Sequence, residues 1–402
     1  MSGPLAGIKV LDISNVIAGP FAAALLGDFG AEVLKVELPV RENAGGDPLR
    51  GLPPHKEGKP LLWKAVNRNK QAITLDLRKP GGQALFGKLL PRFDVLVENY
   101  RPGTLDRWAL SKEVLWKIQP KLVILRVTGF GQTGPYSGYA GFARLFEAYA
   151  GLTYITRAPG EPPMHPGYPI GDPVGGVFGA FGVLAALLHR ARNPDAPGQE
   201  IDLSCTEAMM RLLEVLPIEH DQLGQVHEPT GNGNAYVSPG GMFRSADGEW
   251  LTFTAATQSV FERFCRLIGR PELIADPKYA NNPMRMKHQQ ELNAIVTQWI
   301  GARPYRDALR ELSEAGVSVA PVYSNRDIAQ DAQVLFRESI TRITDADFGS
   351  VAVPCVVPRL SATPGEARSA GPAAGAHNAE VYGGWLGLSD AERAALERDG
   401  VI

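Results

Sequence analysis

Ile8-Lys-Val-Leu-Asp-Ile13 is a short run rich in β-branched residues, and after Asn15 and Gly19-Pro20 comes an alanine- and leucine-rich segment, Phe21 to Phe29. Ala31-Glu-Val-Leu-Lys-Val-Glu37 then alternates apolar and polar residues. Alternation and β-branching predict strands, and the run between them predicts a helix, so the chain opens as β-α-β. The pattern recurs outward from there. Strands are expected over 72–77, 95–98 and 122–127, with helices over 81–90 and 111–118. Such alternation predicts a mostly parallel sheet covered by helices on both faces.

A long apolar helix is expected over 175–190, then a strand over 200–203 and a helix through Leu216. Between Asp221 and Pro239 the pattern fades into polar, glycine-rich sequence. A strand over 250–254 and helices over 258–268, 288–300 and 305–315 form a separate program. The predicted class is therefore α/β. A large Rossmann-like domain with a parallel sheet spans 1–220 and is completed by 326–402, and a smaller α+β domain spans 221–325. Pro364 to Ala376 reads as a loop or linker, and 388–397 as a last helix opened by Ser389 as N-cap.

The 402 residues exceed what one core of ordinary size accommodates, since domains average roughly 150 residues. Lys plus Arg number 41 and Asp plus Glu 43, so the net charge of −2 gives no field to attract a polyanion, and nucleic acid is excluded as an expected partner. Cys205, Cys265 and Cys355 form no disulfide pattern, which points to a reducing cytoplasm. The N-terminus lacks the pattern of a secretory signal. The longest apolar run, Gly175 to Leu188, falls short of the roughly 20 residues of a membrane span and reads as a buried helix, so no membrane association is expected.

Gly129-Phe-Gly-Gln-Thr-Gly134 matches G-x-G-x-x-G after a strand, but Pro135, Gly138 and Gly141 are poor material for a phosphate-binding helix, so a glycine-rich loop is expected. The seven histidines show no metal spacing, and no metal site is expected. No G-x-S-x-G elbow is present. Most informative is Gly167-Tyr-Pro-Ile-Gly-Asp172-Pro-Val-Gly-Gly176, a carboxylate among glycines directly before the long apolar run. Asp172 could be that helix's N-cap, with Pro173 as its first residue. It could equally be a nucleophile that the glycines expose to a large substrate. The two readings are compatible.

These residues resemble the family III CoA transferases, the CaiB/BaiF group that includes formyl-CoA and carnitine-type transferases. The resemblance runs nearly end to end. It rests on Val10-Leu-Asp-Ile-Ser14 with Ala18-Gly-Pro20, Gly30 to Glu37, Asn69-Lys70 leading into Leu75-Asp76, and Val97-Glu-Asn-Tyr-Arg-Pro-Gly103 with Leu105-Asp-Arg107. It continues through Gly129 to Pro135, Gly171-Asp172 and Gly198 to Asp202. The resemblance implies a catalytic aspartate, Asp172, that forms an anhydride with the donor acyl group and then an aspartyl-CoA thioester. Acyl-CoA and a free carboxylic acid are the implied substrates, with no permanently bound cofactor.

By the same resemblance Ile17 and Ala18 line the thioester site. Asn99, Tyr100, Arg107 and Leu75 contact CoA, and Arg41 is a phosphate partner. Glu147 and Arg144 stand near the reacting groups. Ile17 replaces a polar residue found in some formyl-CoA transferases, which favours a different acid, such as succinate, itaconate, mesaconate or malate. Oxalate, carnitine and aromatic acids stay open. Gly231, Gly233, Gly240 and Gly241 fall where the family has a mobile glycine loop; a plain interdomain connector fits equally well. The resemblance further implies an interlocked homodimer. Acyl-CoA racemases share the fold and the aspartate but carry a Gly-His-Asp-like segment where Gly141-Phe-Ala-Arg144 stands here, so the second base for proton transfer is missing. A non-catalytic CoA-binding protein is the third alternative.

Overall fold

The computed structural model describes residues 3–40 and 45–402. Six strands form one sheet: β1 (Lys9–Asp12), β2 (Glu32–Glu37), β3 (Lys70–Thr74), β4 (Val95–Glu98), β5 (Val123–Thr128) and β6 (Glu200–Ser204). Their order is β3-β2-β1-β4-β5-β6, and every neighbouring pair is parallel. Strands β1 to β5 each carry adjacent apolar residues that go to opposite faces, whereas β6 alternates polar and apolar. Leu11, Leu34, Leu96 and Ile124 join one core with Phe86 and the C-terminal Val401 and Ile402. Val10, Val33, Val95 and Val123 join the other with Ala22, Leu26 and Val183. The strand order reverses between β1 and β4, and the crevice at such a switch point is where open α/β sheets bind ligands.

Helix α1 (Ala18–Asp28) follows β1 and packs on α5 (Gly171–Arg192), with α2 (Pro80–Leu89), α3 (Lys112–Ile118), α4 (Ala143–Tyr149) and α6 (Cys205–Leu212) completing the layers. Helix α5 starts at Gly171, four residues before the expected start, and runs to 22 residues. It is not buried all round. Gly175, Gly176, Gly179, Ala180 and Val183 are buried, whereas Val177, Phe181, Leu184 and Leu188 are exposed at helical spacing. It is long and apolar enough to cross a membrane, with half of its apolar stretch buried in the protein. No helix follows the glycine-rich loop after β5 until Ala143, so the dinucleotide geometry is absent there.

The chain divides into two compact units, one of residues 1–153, 165–222 and 336–402, the other of 154–164 and 223–335. Residues 221–222, expected in the small domain, group with the first unit, and 154–164 and 326–335, expected in the large one, with the second. That unit holds an antiparallel sheet of β7 (Gly240–Arg244), β8 (Trp250–Thr254) and β9 (Ser318–Pro321). Helices α7 (Gln258–Leu267), α8 (Gln289–Gly301) and α9 (Tyr305–Glu314) share its core through Phe261, Val296 and Leu312. Residues 364–376 are irregular but packed, contrary to a free linker. Trp63 Nε1 donates to the Pro372 carbonyl at 2.9 Å, and a Cβ on Gly371 would sit 2.5 Å from the Trp63 carbonyl oxygen. The last helix, α10 (Asp390–Arg398), opens with a capping box between Ser389 and Glu392.

Candidate active site

The turn after β1 is held by side chains at almost every backbone group. Asp12 accepts from Ser14 N–H at 3.0 Å and pairs with Lys70 Nζ at 2.8 Å, both buried. Lys35 Nζ donates to the Ser14 carbonyl and lies 3.0 Å from Asp47 Oδ2. Asn99, just past β4, accepts from Asn15 N–H and donates to the Asn15 carbonyl, each at 2.7 Å. Asp47 Oδ1 accepts from Val16 N–H at 3.0 Å. Val16 has φ +66°, a left-handed conformation that costs a β-branched residue energy and persists only where its surroundings enforce it. Buried charges are tolerated here because each has an opposite partner and further hydrogen bonds.

This turn delivers Ile17 and Ala18 to the start of α1. The N–H groups of a helix's first turn have no partner within it and carry partial positive charge. Ile17 and Ala18 line a cavity of about 230 Å³ together with Asn99, Tyr100 and Asp172. Asp172 is the second residue of α5, and its side chain makes no capping bond, which removes the N-cap reading. Glu147 does that work from α4: its Oε1 accepts from Ile170 N–H at 2.7 Å and Gly171 N–H at 3.2 Å.

Asp172 is only 9% exposed. Burial, and then the nearby Glu147 carboxylate, push its carboxyl up to about 6. At neutral pH it is therefore an ionised oxygen base that is poorly solvated, a good carboxylate nucleophile. Cys205, the first residue of α6, lines the same cavity, and burial with the Asp172 charge pushes its thiol up, so it stays protonated.

The glycines around Asp172 serve packing as well as access. A Cβ on Gly171 would lie 2.6 Å from the Ala143 carbonyl oxygen, one on Gly175 2.6 Å from Cys205 Sγ, and one on Gly176 2.9 Å from the Ala18 carbonyl oxygen. They let α5 close on α4, α6 and α1.

Of the other residues singled out from sequence, Leu75 lines a second cavity of about 240 Å³ that shares Asn15 and Tyr100 with the first. Glu147 is fully buried and acts from behind the Asp172 helix. Arg144 donates to the Pro166 carbonyl at 3.0 Å and lines neither cavity. Arg107 is exposed, hydrogen-bonded to Thr104 Oγ1 at 2.9 Å, and also lines neither. Arg41 lies outside the described residues. Gly231, Gly233, Gly240 and Gly241 belong to the second unit. Gly240 and Gly241 are not loop but the first residues of β7, paired with Thr254 and Phe253, and Gly233 bridges Gly241. Sequence reasoning missed Asn15, Val16, Arg101, Tyr139, Phe142 and Cys205 as lining residues. Arg101 carried a signal, as the neighbour of Asn99-Tyr100 in one motif, and so did Phe142, inside the Gly141-Phe-Ala-Arg144 segment. Among the described residues no group of His, Cys, Asp and Glu is placed to hold a metal ion.

The chain matches CoA-transferase family III over residues 5–378. It is 40% identical over 400 residues to the succinyl-CoA--D-citramalate CoA-transferase of Chloroflexus aurantiacus, covering 99% of this chain and 98% of that one. It is 30% identical over 417 residues to the formyl-CoA:oxalate CoA-transferase of Streptomyces avermitilis, covering 100% of both. The crystal structure of a CAIB/BAIF family protein from Brucella suis superimposes with a TM-score of 0.82 at 28% identity, covering 96% of this chain and 100% of that one.

Proposed function

The chain belongs to CoA-transferase family III, and from that premise we propose that it carries CoA from succinyl-CoA to a small hydroxylated dicarboxylic acid, with Asp172 as the covalent relay. The observation that carries the relay is the Asp172 carboxylate: nearly buried, without a hydrogen bond among the described residues, and set in a cavity at the N-terminus of α1. The substrate class follows the relatives. The D-citramalate enzyme and the succinyl-CoA--L-malate CoA-transferase alpha subunit of Chloroflexus aurantiacus are both 40% identical over 99% of this chain.

In the first step an Asp172 oxygen attacks the thioester carbonyl carbon; the C–S bond breaks and CoA leaves as thiolate. The developing oxyanion lies beside the positive end of α1. The thiolate then attacks the aspartyl carbonyl of the anhydride and expels succinate, leaving an aspartyl-CoA thioester. The carboxylate of the acceptor attacks that carbonyl, releasing the thiolate and forming a second anhydride. Attack of the thiolate on the acceptor's acyl carbon yields the new CoA ester and regenerates Asp172. The thioester's energy is kept throughout, so no ATP is consumed. Water must be excluded, since either intermediate hydrolyses.

The active unit proposed is an interlocked homodimer, supported by the exposed apolar stripe Val177, Phe181, Leu184 and Leu188 on α5. In the test, purified enzyme receives succinyl-CoA and L-malate, and CoA esters are read by mass spectrometry. Asp172→Ala should abolish exchange while leaving CoA affinity within about threefold. Unimpaired turnover in that variant overturns the relay. Light scattering should report twice the chain mass of 43.3 kDa, and a monomer overturns the dimer.

A further inference from the structure

Glu147 uses only one of its oxygens to cap α5. Its Oε2 is buried and makes no hydrogen bond among the described residues. His165 Nδ1 lies 3.5 Å from it. Thr153 Oγ1 lies 3.3 Å from the same nitrogen and holds the ring in place. His165 sits on the irregular segment leading into α5, and its side chain is 40% exposed whereas that of Glu147 is buried.

We propose that His165 is a positioning residue for the transfer reaction: its ring, set against the buried Glu147 carboxylate, counters the negative charge that Glu147 places beside Asp172. This rests on Asp172 being the relay. A protonated ring donates from Nδ1 toward Oε2, and its charge offsets that of Glu147. With less like charge beside it, Asp172 gives up its proton more readily and is available as a nucleophile at lower pH. The burial of Glu147 makes the compensation effective, because a charge pair beneath the surface is screened less than one in water.

The other titratable groups on the elements that carry Glu147 and Asp172, or that face Asp172, do not supply this charge. On α4, Arg144 directs its guanidinium to the Pro166 carbonyl. From the start of α5 and the segment before it come Asp172 and Tyr168, the first an acid and the second a phenol pushed up by burial and by Asp172. On α6, Cys205 is a thiol held protonated. Among them His165 is the group in contact with the Glu147 carboxylate whose ring can carry a positive charge.

The test is a single-turnover measurement of Asp172 acylation by succinyl-CoA without acceptor. The adduct is trapped with hydroxylamine or borohydride and quantified on its peptide from about pH 5 to 8. For His165→Gln the acid limb should move up by about 0.3 pH unit or more, with the plateau rate and the KM for succinyl-CoA within about twofold of wild type. His165→Arg, which keeps a positive charge, should leave the limb at or below its wild-type position. In a Glu147→Gln background, His165→Gln should move the limb no further. A limb that coincides with wild type in His165→Gln overturns the proposal, as does an equal shift in the Glu147→Gln background. The loop position of His165 lets the single variant decide alone if Glu147→Gln does not fold. Failure of the relay has a different signature: wild-type enzyme turns over with no adduct on Asp172.

Discussion

The backbone N–H of Gly171 donates to Oε1 of Glu147 over 3.2 Å, so the helix that carries Asp172 is capped by an acid from another helix. The cap fixes where Asp172 enters the cavity, and its charge raises the basicity of the residue it positions. Glu147→Ala should cost about 1–2 kcal/mol in urea denaturation, as loss of a helix cap does, while Glu147→Gln keeps an acceptor oxygen and should cost about half of that or less. Equal losses in the two variants would count against the cap.

The Asp172 carboxyl is held above its ordinary 3.8, at about 6, by burial first and by Glu147 second. The folded state therefore keeps a proton that the unfolded chain gives up. The associated stability is fully present below pH 3.8 and is lost as pH rises through about 6. Asp172→Asn cannot ionise, so it should be more stable than wild type above pH 6, by about 1–3 kcal/mol, with the advantage gone near about pH 4. Denaturation curves at several pH values check this, and parallel pH dependence in the two proteins would refute it.

Gly175 faces Cys205 at a distance that leaves no room for a side chain, with 2.6 Å from the built Cβ to Sγ. Gly175→Ala should destabilise by about 1–3 kcal/mol and lower acylation. Cys205→Ala removes the colliding sulfur and should recover most of the loss in the double variant. Gly171→Ala meets the Ala143 backbone at 2.6 Å, and the same cysteine change should not rescue it.

Asp47 joins Val16 N–H to Lys35 Nζ, both at 3.0 Å. Asp47→Ala leaves Lys35 buried without its partner and Val16 without support in a left-handed conformation. The expected cost is roughly 3–5 kcal/mol, together with a fall in kcat that exceeds any rise in KM. A folded variant with wild-type kcat would show that the turn holds its shape without Asp47.

Strands β1 to β5 of the central sheet were legible because they are buried on both faces and read as β-branched and apolar runs, and the edge strand β6 by its alternation. In the second unit β8 was legible and its neighbours were not: Gly240-Gly-Met-Phe-Arg244 and Ser318-Val-Ala-Pro321 have too little periodicity to mark a strand. Asp172 stood out by its glycine setting, and resemblance supplied the role proposed for it. Asn15, Val16 and Cys205 carried no local mark, because lining a cavity is a property of where the chain returns in space.

Local pattern in the chain was enough to determine the α/β class, the parallel sheet and the aspartate among glycines, since these depend on residue spacing over a few positions. Tertiary structure decided that Glu147, 23 residues before Ile170, caps the Asp172 helix. It also decided that Asn99 grips Asn15 from 84 residues away and that the glycines of α5 are taken up by neighbouring helices. Hydrogen bonding and burial are set by distance in space, and a separation of that length along the chain leaves no periodic trace for the sequence to display.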